Sequence, residues 1–310
     1  MISRRNIRVK VMQLIYSLET LEEAGSKPDV VSQLQKRLDA SRQLFTFLLY
    51  NLTEVARFAE RDAHKRASKN LPSEADRNVD VKIAGNHLIW KILADPHYLK
   101  AVERDRPEVI SNPDTIRRLY NDMLARPEYH QYIATAERDK KSEKEIVQFV
   151  FYSLLLPSEI FTSQVEEHFT NWEDDAEMME QLMQNYLQKP AAYDLSDMLG
   201  ADKWQFAKEL LQTTLDKKEY LMSLITPKLK NWDADRIAQL DMILMNMGVA
   251  ELLYFETIPP KVTINEYIDI AKQYSTDQSG QFVNGILDGI HKELLADGKI
   301  QKVDFRHKTN

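Results

Sequence analysis

Arg4, Arg5, Arg8 and Lys10 stand within the first ten residues, and no acid follows until Glu19. Clustered cations of this kind neutralise phosphate, so the start of the chain is a candidate anion site. At about 100 degrees per residue along a helix, Arg5, Val9, Met12 and Tyr16 share one stripe, with Gln13 beside it. Such a stripe offers phosphate contacts, a stacking plane and an amide able to read a base edge. That chemistry suits unpaired RNA better than a duplex. Ile7, Val11, Leu14, Ile15 and Leu18 form the opposite, core-facing side. A plainer alternative stays open, in which the helix is buried on both sides and its basic end is an ordinary solvated terminus.

Covalent chemistry finds little support. The chain has no cysteine, which removes disulfides, thiolate metal ligands and thiol nucleophiles. Its histidines (64, 87, 97, 130, 168, 291 and 307) lack metal-ligand spacing. The acidic run "WEDDAE" at 172–177 reads as a solvated helix start rather than a carboxylate site. We therefore assign no catalytic residue, metal or cofactor. A net charge of −7 over 310 residues argues against indiscriminate coating of nucleic acid, while the basic start permits a local site. "MISRRNIRVKVMQLIYSLETLEE" has the basic-then-apolar order of a secretory signal, but "VMQLIYSL" is short, is broken by Gln13 and Ser17, and leads into acids. No apolar run nears the roughly 20 residues that span a bilayer. The expectation is a cytoplasmic protein without a membrane partner.

The residues around the chemistry must be helical. Glycine is scarce, at 8 of 310, and Leu, Ile, Ala, Met, Glu, Lys and Gln dominate, so the fold class is all-α. A first helix is expected over about 4–20, a break at "EAGSKPD", and a long helix over about 29–66. Composition divides the chain into an N-terminal helical subdomain (1–66), a more polar segment of shorter helices (67–226), an apolar C-terminal subdomain (227–297) and a polar, mobile tail (298–310). In the second segment Pro72, Pro96, Pro107, Pro113, Pro127, Pro157 and Pro190 are expected to end or bend helices. The stretches around Trp172 and Trp232 echo one another weakly. Each reads as a helix start sealed by its tryptophan, and no duplication is inferred.

The stretch "VTINEYIDIAKQYSTDQSGQFVNGILDGI", residues 262–290, contains two capping-box patterns, Thr263 with Glu266 and Ser275 with Gln278. After the second, Val283, Leu287, Ile290 and Leu294 make a core face. Phe282 lies off that stripe in the first turn, as a rim aromatic or as core. Gly285 and Gly289 each cost about 1 kcal/mol relative to alanine inside a helix, and suit either close approach of another backbone or a ligand, or plain helix packing. In "RIAQLDMILMNMGVAELLYF", Asp241 and Glu251 interrupt an apolar helix. A lone buried charge is costly, so each needs an internal partner such as Lys261, or a contact with another protein.

Taken in order, "RRNIRVKVMQLIY", "WDADRIAQLDMILMNMGVAELLYF" and "IPPKVTINEYIDIAKQYSTDQSGQFVNGILDGI" resemble the signatures of the NusB family of transcription antitermination factors. The likeness is to long members, in which a helical insertion, here about 67–226, separates two signature regions. It implies a NusB-like helical bundle of two subdomains and a non-enzymatic role. That role is binding the boxA element of ribosomal RNA leaders, together with the small-subunit ribosomal protein NusE and other Nus factors of the elongation complex. By position, Arg4, Arg5, Arg8, Gln13, Tyr16 and Phe282 inherit RNA contacts, and Asp241 the contact with the ribosomal protein. Asn6 and Ile7 depart from a longer arginine or alanine run, Gln278 replaces a common acid, and Met245 and Asn246 replace a frequent Leu-Arg. These departures bear on affinity and RNA preference more than on fold. Two competitors are a helical adaptor that binds only protein, and the RNA-binding half of an rRNA cytosine methyltransferase. The latter lacks its glycine-rich cofactor loop and nucleophilic cysteine here.

Overall fold

The structure is a computed structural model that describes residues 2–20, 29–195, 197–229 and 237–303. The described residues form helices and no strands, as the composition requires. In chain order these are α1 (Arg4–Thr20), α2 (Val30–Ala67), α3 (Glu74–Arg77), α4 (His87–Leu93), α5 (Pro96–Asp105), α6 (Pro107–Ile110), α7 (Pro113–Leu124), α8 (Pro127–Ala134), α9 (Lys140–Phe149), α10 (Glu159–His168), α11 (Trp172–Gln188), α12 (Ala201–Asp216), α13 (Lys218–Ile225), α14 (Gln239–Tyr254), α15 (Pro260–Tyr274) and α16 (Ser279–Ala296). A π-helical stretch, Val150–Leu155, continues α9. The first two helices lie where the periodicity puts them. Most of the expected break after α1, Trp232 and the last seven residues of the tail lie outside the described residues.

The chain divides into two units, Leu38–Met198 and Ile2–Arg37 with Leu199–Asn310. The boundaries expected at 66 and 226 therefore fall inside units. Composition responds to average polarity, whereas α12, polar on average, buries Phe206, Ala207, Leu210 and Leu211 and packs on α1 and α14.

In the unit of residues 38–198, prolines start helices more often than they stop them. Pro96, Pro107, Pro113 and Pro127 each occupy the first turn of a helix, where the missing N–H would have had no partner and the fixed φ is already helical. Asp95 and Asn112 cap two of these starts, accepting from the backbone N–H groups of His97 and Asp114, both at 2.9 Å. The core includes Phe47 stacked on Phe161, with ring centroids 6.0 Å apart, and Phe45 edge-on to Tyr186. The "WEDDAE" start of α11 is not wholly solvated. Trp172 seals it as expected, but Asp175 is buried and accepts from Ser41 Oγ and Asn171 Nδ2, both at 2.6 Å.

In the other unit, α14 is enclosed by α1, α12, α13, α15 and α16, which is why it is apolar around nearly its whole circumference. Gly248 makes that packing possible, since a Cβ there would lie 2.9 Å from both δ-methyls of Leu287. Gly285 and Gly289 have nothing among the described residues within 4 Å of an added Cβ, so no described residue makes the close approach suggested for them.

Neither capping box forms. Pro260 at the first turn starts α15 upstream of Thr263, whose hydroxyl is drawn instead to Glu251 at 2.8 Å. Helix α16 starts at Ser279, after a Gln278 that makes no side-chain cap bond, and Ser279 Oγ accepts from the Thr276 N–H. Part of the tail is anchored rather than loose. Lys302 Nζ donates to the carbonyls of Glu251 and Phe255 at 3.0 and 2.7 Å, and the Val303 N–H donates to the Glu256 carbonyl. No single helix among the described residues is long and apolar enough to cross a membrane.

Candidate nucleic-acid interface at the start of the first helix

Helix α1 carries the basic cluster, and its four cations have different fates. Arg8 turns inward. Its Nε and Nη2 donate to the two carboxylate oxygens of Glu251 at 2.8 and 2.7 Å, a bidentate fork in which Arg8 is 2% and Glu251 0% exposed. Thr263 Oγ1 and Tyr267 OH complete the shell around Glu251 at 2.8 and 3.2 Å, and Glu266 approaches the outer Arg8 nitrogen at 3.4 Å. Burial by itself lowers the pKa of Arg8. The Glu251 hydrogen bond and the charges of Tyr267, Glu251 and Glu266 outweigh that effect, leaving it raised. Burial and then the charge of Glu251 push the Tyr267 hydroxyl well above its usual range. Lys10 is also buried.

Arg8 is thus a structural clamp between α1, α14 and α15, its guanidinium turned inward rather than offered to solvent as an RNA contact would require, and Glu251 is paired with Arg8 rather than with Lys261. A bidentate partner needs a planar guanidinium fork, which a lysine cannot present.

Arg4 and Arg5 remain at the surface. Arg5 is 36% exposed and reaches Gln273 at 3.2 Å and Asp269 at 3.8 Å on α15. Arg4 is exposed, and its guanidinium carbon lies 5.4 Å from the centroid of the Phe206 ring on α12. Arg8 lies at the same distance from that ring, and Phe255 meets it edge-on at 5.5 Å. Phe206 therefore holds Arg4 in place by cation–π attraction.

The second stripe of α1 behaves partly as the plainer alternative has it. Met12 is 1% and Val9 8% exposed, so both sides of the helix are covered there, while Tyr16 stays 40% exposed. The Gln13 amide is enclosed, and neither its oxygen nor its nitrogen has a hydrogen-bond partner among the described residues. Phe282, expected as a stacking ring, is buried at 7% exposure and packs as core, because the first turn of α16 faces inward beside Val283 and Ile286. Asp241 is likewise buried. Its Oδ2 accepts from Ser279 Oγ at 2.8 Å, joining the first turns of α14 and α16. Phe206 was not legible as a site residue in the sequence. Its only signal was the apolar period of α12, which composition assigned to the insertion.

Fold and site together define an all-helical protein whose basic first helix is clamped to a buried central helix by an internal arginine–glutamate pair. The chain belongs to the NusB family, whose sequence profile matches residues 164–292. It is 42% identical over 101 residues to a transcription antitermination protein NusB of Methylacidiphilum infernorum, spanning 33% of this chain and 70% of that protein. Similar proteins of the same name from Salinibacter ruber and Chloroherpeton thalassium are 44% and 40% identical over 97 residues. Those matches span 61% and 46% of the relatives' own lengths, and 31% of this chain. Among solved structures, one of T. maritima NusB is 35% identical, covering 32% of this chain and 72% of that one, with a TM-score of 0.29.

Proposed function

We propose that this chain is a non-catalytic antitermination factor that binds an unpaired, boxA-like RNA through the start of α1, in company with the ribosomal protein NusE. Family membership supports the role. The observation that carries the RNA reading is Arg4, an exposed guanidinium with no acid partner among the described residues, held on a ring of its own unit. An unneutralised cation fixed at one spot suits a phosphate.

Arg5 supplies a second cation on release from its long contact with Asp269, and Tyr16 an exposed stacking ring. Arg8 and Phe282 act by holding helices in place. Asp241 shapes the surface offered to NusE by fixing the start of α16 through Ser279.

The test is titration of a short unpaired boxA-like RNA across a salt series, with and without NusE. Affinity should fall with salt at a log–log slope of about 0.7 per phosphate neutralised, and NusE should raise it through reciprocal coupling. A salt-independent or undetectable RNA affinity, with NusE still bound, would favour the adaptor that binds protein alone.

A further inference from the structure

Helix α12 was given no part in binding by the sequence, yet it lies against α1 and places a second cation beside Arg4. Lys203 and Phe206 are three residues apart on α12 and so share a face of that helix. Phe206 carries the Arg4 guanidinium, and Lys203 Nζ donates to the carbonyl of Ile2 at 2.7 Å, two residues before Arg4. The two cations are neighbours on a single surface.

Neither has a carboxylate partner among the described residues. The adjacent acid, Asp202, is exposed and forms no ion pair with either. The proximity is felt electrostatically, since burial and then the charge of Arg4 both lower the Lys203 pKa. Folded chains ordinarily separate like charges or place an acid between them. A pair kept together without one is a locally unfavourable arrangement that a bound anion relieves.

We infer that Arg4 and Lys203 hold a single RNA phosphate between them, so that α12 joins the start of α1 in the RNA surface. This rests on the RNA-binding reading above. Phe206 orients Arg4 from beneath, while the Ile2 carbonyl takes one of the three N–H donors of the lysine and no other described residue takes a second.

The experiment uses the full chain and a short boxA-like RNA. Lys203→Ala and Arg4→Ala should each weaken binding and flatten the salt slope, and the double variant should lose about one phosphate's worth, roughly 0.7, rather than two. Lys203→Arg should restore the slope. A purely structural lysine would change the thermal midpoint but leave the slope untouched, so midpoints are measured alongside. If RNA binds with the expected salt dependence and Lys203→Ala leaves the slope unchanged, the inference fails while the RNA reading survives. Additive slope losses would also overturn it, because they mean two separate phosphates. If wild-type protein shows no salt-dependent RNA binding, both fall together. Inorganic phosphate serves as the second probe, and binding of free phosphate as tight as that of RNA would replace the RNA site with a small-anion site.

Discussion

Arg8 and Glu251, 243 positions apart in sequence, are joined by two parallel hydrogen bonds of 2.7 and 2.8 Å in the interior of one unit. The pair fixes where α1 sits against α14 and α15, and hence where Arg4 emerges. Removing one partner leaves the other charged and buried. Arg8→Ala or Glu251→Ala should therefore destabilise the unit by about 3–5 kcal/mol. Arg8→Lys should recover only part of this, because an ammonium cannot form the fork. Urea unfolding followed by circular dichroism would measure it, and an Arg8→Ala variant of unchanged stability would refute the clamp.

The glycines of the C-terminal helices should respond in opposite directions. Gly248→Ala places a methyl against Leu287, and overpacking of this kind costs about 1–3 kcal/mol. Gly285→Ala enters open space inside a helix and should stabilise by up to about 1 kcal/mol. Thermal midpoints of the two variants give the comparison. A loss of RNA or NusE binding in stable Gly285→Ala would show that this open face is used by a ligand.

Phe282 should behave as a core residue. Phe282→Ala is expected to cost about 3 kcal/mol or more of stability, and any effect on RNA affinity should disappear once the fraction folded is taken into account. Arg4→Ala should show the reverse, with stability nearly unchanged and the salt slope of RNA binding reduced. Parallel unfolding curves and RNA titrations of the two variants separate these outcomes.

Lys302 sets a pH dependence. Burial lowers its pKa to about 8, against the opposing pull of Glu251 and Glu256, whereas an unfolded lysine titrates at about 10.4. Between those values the unfolded chain binds more protons than the folded one, so this group makes stability rise with pH through that window. Below pH 8 both states are protonated and the cost of burying the charge is present in full. Wild type should therefore gain stability relative to Lys302→Met as pH is raised from 7 to 10. An unchanged difference between the two denaturation midpoints would place the lysine in solvent.

The sequence by itself determined a good deal. Helix-forming composition and scarce glycine required an all-α fold, and period alone placed α1 and α2. The ordered motifs at the two ends carried the family. The sequence also showed that Glu251 needs a partner, inside the chain or on another protein, since a lone buried charge is too costly.

Which partner it would be, only the tertiary structure decided. Spacing left Lys261 as one candidate beside a contact with another protein, and read Thr263 with Glu266 as a capping box. The fold instead spends Thr263 and Arg8 on Glu251 and brings Glu266 to Arg8, through contacts that no local pattern encodes. The same holds for the site. Sequence ranked Arg4, Arg5 and Arg8 alike, because position along a helix gives direction but not what lies opposite. Packing of α12, α14 and α15 buried Arg8, left Arg4 outside on Phe206, and set Lys203 beside it. Burial and charge pairing depend on which distant helices meet, so these distinctions arise only in the folded chain.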